Sequence, residues 1–164
     1  MPNWCINYLT FQGDAVKINE IKNCFAEMII RQDALKEGVV PLFFKDSKCL
    51  DGFFFELYTD DENAEKTGFT VQYETRWCPN IPDVKAICEH FKVSCELEYQ
   101  ESGCCVFGKY SYDSETDTEQ QICLDDTDFD KFEYREESSL YYFEGKEYES
   151  ETEILETLLE RKSQ

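Results

Sequence analysis

The chain opens on an alternation. Trp4, Ile6, Tyr8 and Thr10 fall on one parity and Cys5, Asn7, Leu9 and Phe11 on the other, a period of two that predicts a β-strand. Apolar groups stand on both parities, as expected of a strand inside a sheet. Gly13 and Asp14 then supply a turn and a helix N-cap, and the period lengthens: Ile18, Ile21, Phe25 and Met28 recur at helical spacing, joined by Cys24 and Ile29. This helix is expected to end at Lys36-Glu37-Gly38, a basic last turn followed by a glycine stop. Residues 39–52 read as an irregular linker around Pro41 and the apolar Leu42-Phe43-Phe44.

A second strand is predicted over 53–58, and the polar, acidic stretch 60–68 is the natural hairpin connection to a third, in which Phe69, Val71, Tyr73, Thr75 and Trp77 share one face. Pro79 and Pro82 bracket the end of that strand and the first turn of a helix, where proline's missing donor costs nothing. Val84, Ile87, Cys88 and Phe91 form its apolar stripe. Cys95, Leu97 and Tyr99 then alternate with Glu96, Glu98 and Gln100, a fourth strand with one solvated face. The order strand, helix, strand, strand, helix, strand predicts an α+β fold of the ferredoxin-like plan, an antiparallel sheet with both helices on one face.

Strands over 106–113 and 120–125 are expected to extend the sheet around an acidic turn at 114–119. A hairpin turns at Glu144-Gly145, and Ser150 with Glu153 fits a capping box ahead of a last helix striped by Ile154, Leu155, Leu158 and Leu159. The expected organisation is a ferredoxin-like core with its sheet extension over 1–125, and an acidic C-terminal extension over 126–164 packed on the same domain.

A chain of 164 residues buries roughly two-thirds of its unfolded surface, so a sizeable core is available. Charge changes the picture more: 36 acidic against 16 basic residues leave a net −20. From residue 111 onward the balance is −13, against −7 for the first 110. Nucleic-acid binding rests on Lys and Arg neutralising phosphates, so this surface argues against direct DNA or RNA binding, and an anionic membrane would repel it. A protein partner with a basic face is the expected target.

Nine cysteines, an odd number scattered through apolar positions without a secretory segment, read as reduced thiols and a cytoplasmic location. Their spacing argues against a metal site: no Cys-x2-Cys pair exists, and the adjacent Cys104 and Cys105 would face opposite ways in a strand. Buried, small-hydrophobe cysteines are the preferred reading, and no cofactor is expected. Pairing of the single histidine, His90, with a nucleophilic cysteine is enforced by nothing local, so a helix-surface role is preferred. Trp4, Phe69, Tyr73 and Trp77 suggest either a base-stacking platform or core packing with the indole N–H bonded to backbone; lacking a basic surround, core packing is preferred.

Three stretches, Met1-Pro2-Asn3-Trp4-Cys5-Ile6-Asn7, Glu74-Thr75-Arg76-Trp77-Cys78-Pro79 and Glu101-Ser102-Gly103-Cys104 with Phe107-Gly108, resemble the ferredoxin-like domain family of YubB-like plasmid and Api-type phage proteins. That family usually carries Ser-Pro-Pro after the second tryptophan, where this chain has Cys78-Pro79-Asn80. The resemblance implies a fold and a habitat on bacterial mobile elements, with no catalytic residue to transfer. The motif residues Asn3, Trp4, Cys5, Asn7, Trp77, Pro79, Glu101, Gly103 and Gly108 are therefore expected to be structural. Asn3, Asn7 and Glu101 would bond backbone at strand ends, and the two glycines would sit in a turn or bulge.

The acidic run 113–119, with Asp125, Asp126, Asp128 and Asp130, lacks the pattern of a calcium loop and is either a solvated face or a docking surface for a basic protein. The leading expectation is a non-enzymatic accessory protein that binds another protein. The alternative is an acidic mimic of nucleic acid that inhibits a DNA-binding or defence protein, and a cofactor-free enzyme comes third.

Overall fold

Asp14 begins the first helix as its sequence suggests, its carboxylate accepting from the backbone N–H groups of Val16 and Lys17 at 3.1 Å each. The structure is a computed structural model that describes residues 3–46, 53–59 and 68–164. Its elements run β1 (Trp4–Gln12), α1 (Ala15–Leu35), a 3-10 turn (Leu42–Asp46), β2 (Phe55–Thr59), β3 (Gly68–Arg76), α2 (Ile81–Phe91), β4 (Ser94–Glu101), β5 (Val106–Asp113), β6 (Thr118–Cys123), α3 (Asp126–Phe129), β7 (Glu133–Arg135), β8 (Leu140–Phe143), β9 (Lys146–Tyr148) and α4 (Glu151–Lys162). The hairpin connection expected at 60–68 and the end of the 39–52 linker lie largely outside the described residues.

Six strands form one sheet in the order β2-β3-β1-β4-β5-β6, every pair antiparallel. Its first four strands are the ferredoxin-like arrangement, and β5 and β6 extend it. One parity of β1, namely Cys5, Asn7, Leu9 and Phe11, lies against α1 and α2. There it joins Val71, Tyr73 and Leu97 of the neighbouring strands, Ile18, Ile21, Phe25 and Met28 of α1, and Val84, Ile87 and Cys88 of α2. Phe25 fills the gap between Phe11 and Phe69, with ring centroids 5.7 Å from each. Burial of each such side chain contributes about 1.5–3 kcal/mol.

The opposite face is treated differently along its width. Phe107 of β5 and Ile122 of β6 point away from α1 and α2 and meet α4, whose Ile154, Leu155, Leu158 and Leu159 close a second core with Leu124 and Phe143. A small sheet in the order β7-β8-β9 flanks this core. Its β8–β9 turn puts Glu144 at φ 49° and Gly145 at φ 80°, the left-handed pair that a two-residue hairpin requires. Over β2, β3, β1 and β4 no described element covers this face.

Several local expectations are corrected. Helix α1 ends close to the expected place, at Leu35, but its left-handed cap (φ 57°) is Lys36 and not Gly38, and Lys36 donates its N–H to the Gln32 carbonyl. Gly38 serves a different need: a Cβ there would lie 2.6 Å from the Phe55 ring. Strand β3 stops at Arg76, so Trp77 does not share its buried face; it turns out at φ 69°. The last strand of the main sheet runs two residues earlier than expected. Ser150 caps α4 by accepting from Thr152, while the reciprocal capping box lies at Asp125 and Asp128, on a helix, α3, that no periodicity announced.

Candidate functional site

The three motif stretches converge on one corner, where β1 begins and β3 and β4 end. Trp77 donates its backbone N–H to the Asn3 carbonyl at 2.9 Å, tying the two stretches together. Below it, Asn7, fully buried, donates through Nδ2 to the Cys5 carbonyl (2.8 Å) and to Thr75 Oγ1 (2.9 Å), and Thr75 donates onward to the Cys78 carbonyl (2.8 Å). Tyr73 donates its hydroxyl to Asn80 Oδ1 at 2.8 Å, next to the proline-bearing start of α2. Pro79 lies in the intervening turn. Glu101 Oε1 accepts from the Gly103 N–H at 2.9 Å, and Asn3 Nδ2 reaches Cys104 Sγ at 3.4 Å. Gly103 is placed by close approach, since a Cβ there would lie 2.9 Å from both Asn3 Nδ2 and Glu101 Oε1. Gly108 is in neither a turn nor a bulge; it sits mid-strand opposite Tyr99.

Two thiols at this corner, Cys5 and Cys104, are not activated. Burial pushes Cys5 up to about 12, and the neighbouring Glu101 carboxylate raises Cys104. A thiolate nucleophile needs the opposite environment, cationic or at a helix N-terminus. On the far side of α2, His90 stacks on Phe43 with ring centroids 3.9 Å apart. Among the described residues, no group of three or more His, Cys, Asp or Glu side chains is arranged to hold a metal ion, and no helix is long and apolar enough to cross a membrane.

The four aspartates expected to face a partner divide. Asp128 is 2% exposed: its Oδ2 accepts from the Asp125 N–H, and Lys131 and Lys162 reach it at 2.6 and 2.5 Å. Burial alone would raise its carboxyl, but the two lysines and that N–H hold it well below the carboxylate range. Asp125 caps α3 and pairs with Lys162 at 2.7 Å. Both residues close a helix start; Asp128 is buried there, whereas Asp125 stays exposed in its ion pair, and Asp126 and Asp130, which have no such task, are exposed too.

The aromatic residues divide as well. Phe69 and Tyr73 are core, whereas Trp4 is 38% and Trp77 51% exposed, which overturns the core reading of both tryptophans. Trp4 belongs to the open face of the sheet, away from the buried motif residues Cys5 and Asn7. Strand register builds this face row by row: Tyr58, Gln72, Tyr8, Glu98 and Lys109 lie side by side across five strands, and Phe55, Glu74, Ile6, Gln100 and Phe107 form the next row. A bulge in β2, with Glu56 at φ 47°, brings Phe55 and Tyr58 onto the same side. Tyr8 and Tyr58 are 48% and 62% exposed. Two grooves border the face. One, of about 360 Å³, runs between Tyr8, Glu98, Phe107 and Glu156; the other, of about 520 Å³, lies among Trp4, Phe55, Glu56, Glu74 and Arg76. The alternation in β1 was the sequence signal for it, since Trp4, Ile6 and Tyr8 share a parity.

Such a face offers exposed rings edged by carboxylates, a surface suited to binding by stacking and charge. No curated protein and no solved structure matches the chain. The model of the ferredoxin-like domain in Api92-like protein matches residues 54–144. That span runs from β2 through β8 and takes in the third and fourth strands, α2 and the sheet extension. With more than half of its length matched and a sheet of this topology, the chain belongs to the family of ferredoxin-like domains in Api92-like proteins.

Proposed function

We propose that this protein is a non-enzymatic protein-binding module of a bacterial mobile element, YubB-like in kind and cytoplasmic, whose partner presents a basic face. The observation that carries the reading is the half of the sheet that no described element covers. Trp4, Tyr8 and Tyr58 stand exposed there among Glu74, Glu96 and Glu98, on a chain of net −20. Apolar rings left in water gain by burial, and the charge around them selects a cationic partner. At the motif corner Asn7 Nδ2, Thr75 and Glu101 Oε1 bond backbone and each other, which supports a structural use, while Asn7 Oδ1, Asn80 Nδ2 and Glu101 Oε2 are buried without a hydrogen-bond partner. Lys131 and Lys162 sit among the carboxylates at 125–130, so that segment lends no weight to mimicry of nucleic acid.

The test is capture from nuclease-treated bacterial lysate, with retained protein purified and titrated back at low and high salt. A basic protein binding at one to one, more weakly as salt rises, is the expected result. Retention that disappears with nuclease, or no retained protein at either salt, overturns the reading.

A further inference from the structure

Resting on the protein-binding reading, we infer that the open face of β2-β3-β1-β4 is the docking site for an arginine-bearing segment of the partner. In each row an apolar group of β1 stands between acceptors on both neighbouring strands: Tyr8 between Gln72 and Glu98, Ile6 between Glu74 and Gln100. A guanidinium matches this spacing. It lays its plane on a ring while its edge donates to a carboxylate, whereas an ammonium is a hydrated point charge without a stacking plane. The protein already sets a guanidinium over a ring on this face. The Arg76 guanidinium lies 5.0 Å above the Phe55 ring, which in turn meets Trp4 edge-on at 4.9 Å.

Acidic side chains outnumber basic ones along both grooves. In the first, Glu98 and Glu156 stand against the ammonium of Lys109, which pairs with Glu98 at 2.7 Å. In the second, Asp33, Glu37, Glu56 and Glu74 stand against Lys36 and Arg76, beside Trp4 and Phe55. An incoming guanidinium relieves both imbalances. Phosphate backbones meet the same carboxylates as repulsion, and a second copy of this chain brings another −20. The occupant is therefore a cationic polypeptide segment.

The experiment is calorimetric titration with two end-capped peptides, identical except that every cation is arginine in one and lysine in the other. The arginine peptide is expected to bind several-fold more tightly. Tyr8→Thr, at a half-exposed strand position, is expected to weaken the arginine peptide by about tenfold and the lysine peptide less. Glu74→Gln with Glu98→Gln removes two charges from the face, and Asp126→Asn with Asp130→Asn removes two elsewhere. The first pair is expected to cost clearly more affinity. Equal binding of the two peptides, or equal losses from the two charge pairs, overturns the assignment of this face while leaving a captured partner, and with it the module reading, intact. Absence of any captured partner with the peptide pattern preserved overturns the module reading and leaves an arginine-selective face.

Discussion

Gly108 lies directly opposite Tyr99 in the β4–β5 register, and the tyrosine ring occupies the space that a side chain at 108 would need. A Cβ there would be 2.7 Å from Tyr99 Cζ and 2.6 Å from the Ile122 carbonyl oxygen. Gln121 Nε2 pins the ring by donating to its hydroxyl at 3.0 Å. Gly108→Ala is therefore expected to destabilise the protein by about 1–3 kcal/mol through overpacking, read as a lower urea midpoint. An unchanged midpoint would show that the ring yields freely.

At Asp128 the expected effect depends on pH. Its carboxyl is held well below its ordinary value near 3.9. The unfolded chain thus takes up the proton first as pH falls, and the stabilisation is full above about pH 5 and withdrawn below it. Asp128→Asn is expected to cost about 1–3 kcal/mol at neutral pH, since it removes the charge that Lys131 and Lys162 pair with. The gap to the parent should narrow in acid. Asp126→Asn, at an exposed position, should leave the denaturation midpoint unmoved. Equal effects of the two substitutions would contradict the burial of Asp128.

Asn7 holds the motif corner from inside. Asn7→Ala removes the donors to the Cys5 carbonyl and Thr75 Oγ1, with an expected loss of roughly 1–3 kcal/mol in chemical denaturation. Asn7→Asp should be worse, since it places a negative charge in a fully buried position and still loses the donors. If the aspartate variant matched the parent, water would have to reach this position.

Thiol alkylation, followed by peptide mass spectrometry, reports on the same corner. The exposed Cys78, Cys104 and Cys123 should react in the native state, and the buried Cys5, Cys88 and Cys95 only after unfolding. Because the Glu101 carboxylate raises Cys104, Glu101→Gln lowers that pKa and enlarges its thiolate fraction. Cys104 should then react faster at neutral pH while Cys123 does not change. A slower Cys104 would mean that Glu101 acts through position and not charge.

By itself the sequence determined what depends on neighbours a few residues away. The period of two in β1, β3 and β4, the helical spacing from Ile18 to Met28 and from Val84 to Cys88, the Asp14 cap and the Glu144-Gly145 turn are local, and each is found where the pattern placed it. Their order was enough for a ferredoxin-like sheet, because short connections leave few ways to pair such strands. What the tertiary structure decided is everything that depends on which element arrives from far along the chain. Alternation says that Trp4 and Tyr8 share a parity; that no described element covers their side follows from where α4 lands, over β5 and β6. Asp126 and Asp128 look alike in sequence, and only the arrival of Lys162 from α4 makes one of them a buried ion-pair partner. Gly38 reads as a helix stop until the Phe55 ring is placed against it. Burial is a non-local quantity, and the open face of the sheet, on which the proposed function rests, is defined by it.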